Sequence, residues 1–188
     1  CQINYSEILS AEHEDEIVFT SGTTEGINLA AYAWAMQHLS KDDEIILSVM
    51  EHHANIVPWH FLRERLGVRL KWVDCDSNGN LDPQRIIDQF TEKTKLLAIT
   101  HMSNVLGTVV DVKTLCHEAR TKGIVSLVDG SQAAVHMPVN VSDIGCDFYA
   151  ITGHKLCGPS GSGALYVRNE IQKTMRPFLG GGDMIKDV

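Results

Sequence analysis

The sequence predicts a three-layer α/β/α domain built on a mainly parallel, mixed sheet of seven strands, and three observations carry that prediction. Seven apolar runs of strand length recur along the chain. Helix-length segments separate most of them, and such alternation implies right-handed βαβ crossovers with both sheet faces covered. Between the last two runs stand only residues 153–162, with three glycines and a proline. That composition does not make a stable helix, so these two strands are expected to pair antiparallel.

The predicted strands are residues 16–20, 44–49, 69–74, 95–101, 124–129, 148–152 and 163–168. Predicted helices cover 24–39, 54–66, 83–91 and 112–122. Asp82 suits the N-cap of the third, with Pro83 at its first helical position, where a missing N–H does no harm. No internal repeat, low-complexity tract or interdomain linker interrupts the pattern, and 188 residues at 44% hydrophobic suffice for one core.

Charge and composition narrow the function. The formal net charge is -8 and there is no Lys/Arg run, which argues against nucleic acid and anionic membrane as partners. No stretch approaches the roughly 20 apolar residues of a membrane span, and the first residues lack a signal pattern, so a cytoplasmic location is expected. The five cysteines, at 1, 75, 116, 146 and 157, form no C-x-x-C pair and are odd in number, as expected of reduced thiols.

In open α/β sheets ligands bind beyond the carboxyl ends of the strands. Those ends are polar here: Ser21-Gly22-Thr23-Thr24-Glu25, Glu51-His52-His53, Ser103-Asn104, Ser131-Gln132 and His154-Lys155. Ser21 to Thr24 join a strand to a helix start, where free N–H groups and the helix dipole favour an anion and hydroxyls can donate too. A tight-turn N-cap would use the same residues. Neither G-x-x-x-x-G-K-[ST] nor G-x-G-x-x-G occurs, which counts against a nucleotide-binding module. Asp129 ends an apolar strand, where a carboxylate calls for a cationic partner such as a protonated pyridinium nitrogen, although an Asx turn at Gly130-Ser131 would also suit it. Lys155 sits on a restricted loop where an amine can form a Schiff base, against the ordinary alternative of a solvated lysine. His52, His53, His60, His101, His117 and His154 lack any metal-binding spacing, and a dedicated zinc site is not expected.

With these residues in view, the chain resembles a pyridoxal 5'-phosphate (PLP)-dependent cysteine desulfurase of the SufS/CsdA type, in the class-V aminotransferase group. The resemblance runs through T-S-G-T-T-E-G-I-N (20 to 28), M-E-H-H-A-N-I-V-P-W (50 to 59), M-S-N-V-L-G (102 to 107), V-D-G-S-Q-A-A-V-H (128 to 136), T-G-H-K-L-C-G-P-S-G-S-G (152 to 163) and L-G-G-G-D-M-I (179 to 185). It implies the large domain of PLP fold type I. Lys155 would form the Schiff base with the cofactor, Asp129 would pair with the ring nitrogen, His52 would stack on the ring and Gln132 would face the phenolic oxygen. Thr23, Thr24, Thr152 and His154 would hold the phosphate, and Asn104 would face cofactor and substrate.

The resemblance further implies L-cysteine as substrate, a sulfur-acceptor protein, a role in iron-sulfur cluster assembly and a homodimer. Residues 1–188 would be an incomplete PLP-binding large domain, without the family's N-terminal segment and C-terminal small domain. The family's sulfur-accepting cysteine and substrate-gripping arginine have no counterpart here, so the chain alone is expected to be inactive. Cys157 stands where an aromatic residue is common and reads as a tolerated variant. Selenocysteine lyase or another class-V enzyme is the alternative on the same scaffold, and an inactive structural or partner-binding domain is the alternative from another class.

Overall fold

The computed structural model describes residues 4–181. Its centre is a seven-stranded sheet in the order β1-β7-β6-β5-β4-β2-β3. The strands are β1 (Ile17–Thr20), β2 (Glu44–Ser48), β3 (Arg69–Val73), β4 (Thr94–Thr100), β5 (Val125–Asp129), β6 (Phe148–Thr152) and β7 (Gly163–Val167). β7 runs antiparallel to both β1 and β6, while β3, β2, β4, β5 and β6 form a parallel run. The expected antiparallel pairing of the last two strands is thus present.

The central strands are mostly apolar because both faces are covered. Side chains alternate between two cores with the period-2 pleat. Ile46, Leu97, Ile99, Val128, Tyr149 and Ile151 enter one core. Ile45, Leu47, Leu96, Ala98, Leu127, Phe148 and Ala150 enter the other. Helix α1 (Tyr5–Leu9), α5 (Pro83–Ile87), α6 (Val112–Thr121) and α8 (Val141–Ile144) contribute to the first. On α6, Val112, Leu115, Cys116 and Ala119 are buried at helical spacing, which makes one apolar stripe. The second core is covered by α2 (Thr23–Leu29), continued by a π-type stretch at Ala30–Ala35 and a last turn α3 (Met36–His38), and by α4 (Val57–Leu66). Two short helices, α7 (Ala133–His136) and α9 (Asn169–Gln172), complete the described chain.

Two expected helices are shorter than the sequence predicts. In 54–66, a 3-10 turn at His53–Asn55 precedes α4, because Pro58 lacks the N–H that would bond back to Ala54. In 83–91, regular helix ends at Ile87, and Thr91 is drawn off into a turn whose N–H reaches Thr94 Oγ1 at 2.9 Å. The Asp82 cap is present, its side chain accepting from Gln84 N at 2.9 Å.

The topology brings the strand ends to one edge of the sheet. Thr20 pairs with Gly163, which pairs with Thr152, and Asp129 pairs with Thr100. Residues 182–188, including the end of the glycine-rich L-G-G-G-D-M-I segment, lie outside the described part, as does Cys1.

Candidate cofactor site

At this edge lies a cleft of about 300 Å3, lined by Thr23, Thr24, His52, Asn104, Asp129, Gln132, Thr152, His154 and Lys155. The residues that the resemblance assigns to the cofactor are therefore on one surface, although they come from five separate segments.

The β1–α2 turn forms one wall. Gly22 has φ +152°, and a side chain there would press on Thr152 Oγ1 at 3.3 Å. Gly163 must also lack a side chain, since a Cβ would come 2.5 Å from Gly22 Cα. This close approach sets the first turn of α2 beside the end of β6. The first intrahelical bond is donated by Gly26 N, so the N–H groups of Thr23 and Thr24 keep no intrahelical acceptor and face an anion site.

The hydroxyls there are not equivalent. Ser131 Oγ lies 2.6 Å from Asp129 Oδ1 and 2.7 Å from Thr23 Oγ1. An ionised carboxylate only accepts, so the protons run in one direction, from Thr23 to Ser131 to Asp129. Thr23 then offers an anion its N–H but not its hydroxyl proton, whereas Thr24 retains both. The sequence led us to expect two donating hydroxyls in this turn; one is already committed.

Asp129 is 4% exposed, and among the described residues it makes no ion pair. Its Oδ1 accepts from Ser131 N at 3.0 Å as well as from the hydroxyl. The Asx turn considered from the sequence is thus real, and it coexists with a ligand-facing role because Oδ2 is left for the cleft. A carboxylate on a residue this buried, with one oxygen open only to the cleft and no cation beside it, is costly alone and suits a cationic ring nitrogen.

Lys155 stands on a 3-10 turn, Gly153–Leu156, and its amine has no hydrogen bond or ion pair among the described residues. Beside it, His154 Nδ1 is bonded to Thr152 Oγ1 at 2.9 Å. His52 Nδ1 accepts from Ala54 N at 3.2 Å, which caps the 3-10 turn and leaves Nε2 to carry the proton of a neutral ring. His53 lies outside the cleft lining. Asn104 sits on an exposed loop closed by Ser103, whose Oγ accepts from Val105 N and Leu106 N at 3.3 and 3.2 Å.

Two residues named at the strand ends were given no part in the site by the sequence reading. Ser131, the link between Thr23 and Asp129, was signalled by its place two residues after an aspartate at a strand end. Glu51 is buried behind His52 and accepts from Ser48 Oγ at 2.6 Å, Asn55 Nδ2 at 2.7 Å and Thr100 N at 3.0 Å. Burial, opposed by these bonds and aided by the charge of Asp129, pushes its carboxyl up to about 7. No metal-competent group of three His, Cys, Asp or Glu residues occurs among the described residues.

The donors and acceptors present fit PLP: N–H groups and a hydroxyl for the phosphate, a carboxylate oxygen open to the cleft for the ring nitrogen, and an amine lining the same cleft.

The model of the aminotransferase class-V family matches residues 2–188. A probable cysteine desulfurase of Xylella fastidiosa (strain Temecula1) is 56% identical over 173 residues, which is 92% of this chain and 42% of that protein. A cysteine desulfurase of Escherichia coli O17:K52:H18 is 48% identical over 186 residues, 97% of this chain and 45% of that protein. Among solved structures, the cysteine desulfurase CsdA of Escherichia coli, as the S-sulfonic acid, superposes with a TM-score of 0.93 at 40% identity, over 97% of this chain and 46% of its own. The apo cysteine desulfurase of Thermococcus onnurineus NA1 gives 0.89 at 38% identity, over 97% of this chain and 45% of its own. The chain spans less than half the length of each of these relatives. Family model, sequence relatives and fold agree: the chain belongs to the aminotransferase class-V family.

Proposed function

We propose that this chain is the PLP-binding domain of a cysteine desulfurase, which converts L-cysteine to L-alanine and keeps the sulfur as an enzyme-bound persulfide. The observation that carries it is the single cleft where Lys155, the free oxygen of Asp129 and the open first turn of α2 meet. PLP, when bound, supplies the electron sink for a carbanion at the amino acid's Cα. Asp129 Oδ2 would hold the proton at the ring nitrogen. The N–H groups of Thr23 and Thr24, the Thr24 hydroxyl and the Thr152–His154 pair would hold the phosphate. His52 would cover the ring face, Gln132 would meet the phenolic oxygen and Asn104 the substrate side. Lys155 Nζ would anchor the cofactor and then move the Cα proton.

No cysteine among the described residues lines the cleft, and Cys116 and Cys146 are buried. We therefore assign the sulfur-accepting thiol and the grip on the substrate carboxylate to parts of the relatives beyond the matched length, and expect residues 1–188 alone to be inactive. On the same reading the whole protein is a cytoplasmic homodimer that passes sulfur to an acceptor protein for iron-sulfur cluster assembly. No described helix is long and apolar enough to cross a membrane.

Reconstitution with PLP tests the assignment. A yellow chromophore is expected, and borohydride should fix a pyridoxyl group on Lys155, located by peptide mass. Lys155→Ala should abolish both. An unchanged chromophore in that variant overturns the role of Lys155, and no binding by either the chain or the whole protein overturns the cofactor.

A further inference from the structure

Glu51 has no direct part in the proposed chemistry, yet it is the most heavily bonded buried acid near the cleft. It is 8% exposed, and its neighbours Ser48 and Asn55 are fully buried. Oε1 takes the Ser48 hydroxyl and the Thr100 N–H, while Oε2 takes Asn55 Nδ2, whose own Oδ1 accepts from Trp59 Nε1 at 3.1 Å. One carboxylate thus ties the end of β2, the end of β4, the His52 turn and the first turns of α4. Thr100 is in turn the register partner of Asp129 on β5.

The network can also house a proton. Ser48 Oγ accepts from Met50 N at 3.2 Å, so its hydroxyl can reverse and receive a proton from Glu51. Asn55 cannot reverse without stranding the buried Trp59 N–H. The site therefore has two arrangements, charged and neutral, that differ only in the Ser48–Glu51 bond.

We propose that Glu51 is a positioning residue of the cofactor site: it fixes the His52 turn to the end of β4, and its charge adds to that of Asp129 in retaining a cationic ring at the free carboxylate oxygen. This rests on the reading of the cleft as a PLP site. Around Glu51, β2 contributes Ser48, β4 Thr100 and α4 Trp59, all uncharged. Its own turn carries His52 and His53, β5 brings Asp129, and Glu25 on α2 is engaged with Ser21 N at 2.5 Å. Asp129 is the acid whose charge reaches it. Burial and that charge place the Glu51 titration at about 7, within the range where a cytoplasmic enzyme works.

The test is PLP affinity, followed by the bound chromophore between pH 5.5 and 8.5, in the wild type and in Glu51→Gln. The cofactor's own titrations are common to both proteins and cancel in the ratio of affinities. Equal binding is expected below pH 6, with the variant weaker by roughly threefold to tenfold above pH 8. A ratio that does not change with pH overturns the proposal while leaving the PLP site standing. No chromophore in the wild type, whether the chain or the whole protein, overturns both. Should Glu51→Gln fail to fold, because its amide meets that of Asn55, carbon-13 NMR of the wild-type Glu51 carboxyl decides. Its titration is expected to move to lower pH when PLP is bound, by the reciprocity of coupled sites, and an unmoved titration overturns the proposal.

Discussion

The ring of Tyr149 occupies the space where a side chain on Gly130 would begin. Tyr149 is fully buried on β6, and its hydroxyl lies 2.8 Å from His101 Nδ1 at the end of β4. Gly130 is the residue between Asp129 and Ser131, so the turn that aims the carboxylate is shaped against an aromatic ring it cannot displace.

Gly130→Ala should therefore cost on the order of 3 kcal/mol in urea unfolding, an overpacking penalty in a site that cannot give way. It should also weaken PLP binding, because the Asp129 turn must shift. Tyr149→Phe is the control. It removes only the bond to His101 and should cost about 1–2 kcal/mol while sparing cofactor binding.

Asp129→Asn separates stability from binding. The amide oxygen still accepts from the N–H and hydroxyl of Ser131, so the turn survives. What disappears is a buried charge without a cation, and the ligand-free variant should be as stable as the wild type or more so by about 1 kcal/mol. Its affinity for PLP should nevertheless fall roughly tenfold or more, since a neutral amide cannot hold the ring proton. Thermal unfolding with and without PLP measures both.

How much of this was legible in the sequence follows from the same residues. Strands were readable because burial on both faces demands mainly apolar runs, and their polar ends marked the cleft. Asp129 and Lys155 stood out as charges where a dry core ends. Glu51 did not, because nothing in E-H-H says that the first residue turns inward to Ser48 and Thr100 while the second lines the cleft. Nor could the sequence show that the Thr23 proton is committed to Ser131, since that contact joins residues 108 positions apart. The helix predicted over 54–66 took no account of Pro58 in its first turn, and that the residues before it form a 3-10 turn depends on the His52 cap.

Glu51 and His101 should leave opposite marks on the pH dependence of stability. Burial raises the folded Glu51 carboxyl from 4.5 to about 7. Its contribution is full below pH 4.5 and is lost as pH rises to 7, roughly 3 kcal/mol in all. Burial lowers His101 from 6.5 to about 4. Its contribution is full above pH 6.5 and is lost as pH falls to 4, by a similar roughly 3 kcal/mol. Between pH 4.5 and 6.5 the two slopes oppose each other in the wild type. Glu51→Gln should expose the rise with pH and His101→Gln the fall, as differences from the wild-type urea curves measured from pH 4 to 8.

The loop that carries Asn104 is tethered from outside the sheet. Gly79, at φ +78°, lies under Leu106, where a Cβ would approach Cδ1 to 2.9 Å, and its carbonyl accepts from Thr108 Oγ1 at 2.8 Å. Val105 beside it is 81% exposed, so little burial holds the loop and the tether weighs more. Thr108→Val keeps the volume, removes the donor and leaves Gly79 undisturbed. Global stability should fall by only about 1 kcal/mol, because the loss is one partly exposed hydrogen bond. Locally the effect should be larger: amide exchange at Val105 and Leu106, whose N–H groups are held by Ser103 Oγ, should quicken several-fold, while β4 and β5 keep wild-type protection. Exchange that quickens equally in the strands would show that Thr108 supports the whole edge of the sheet rather than the loop alone.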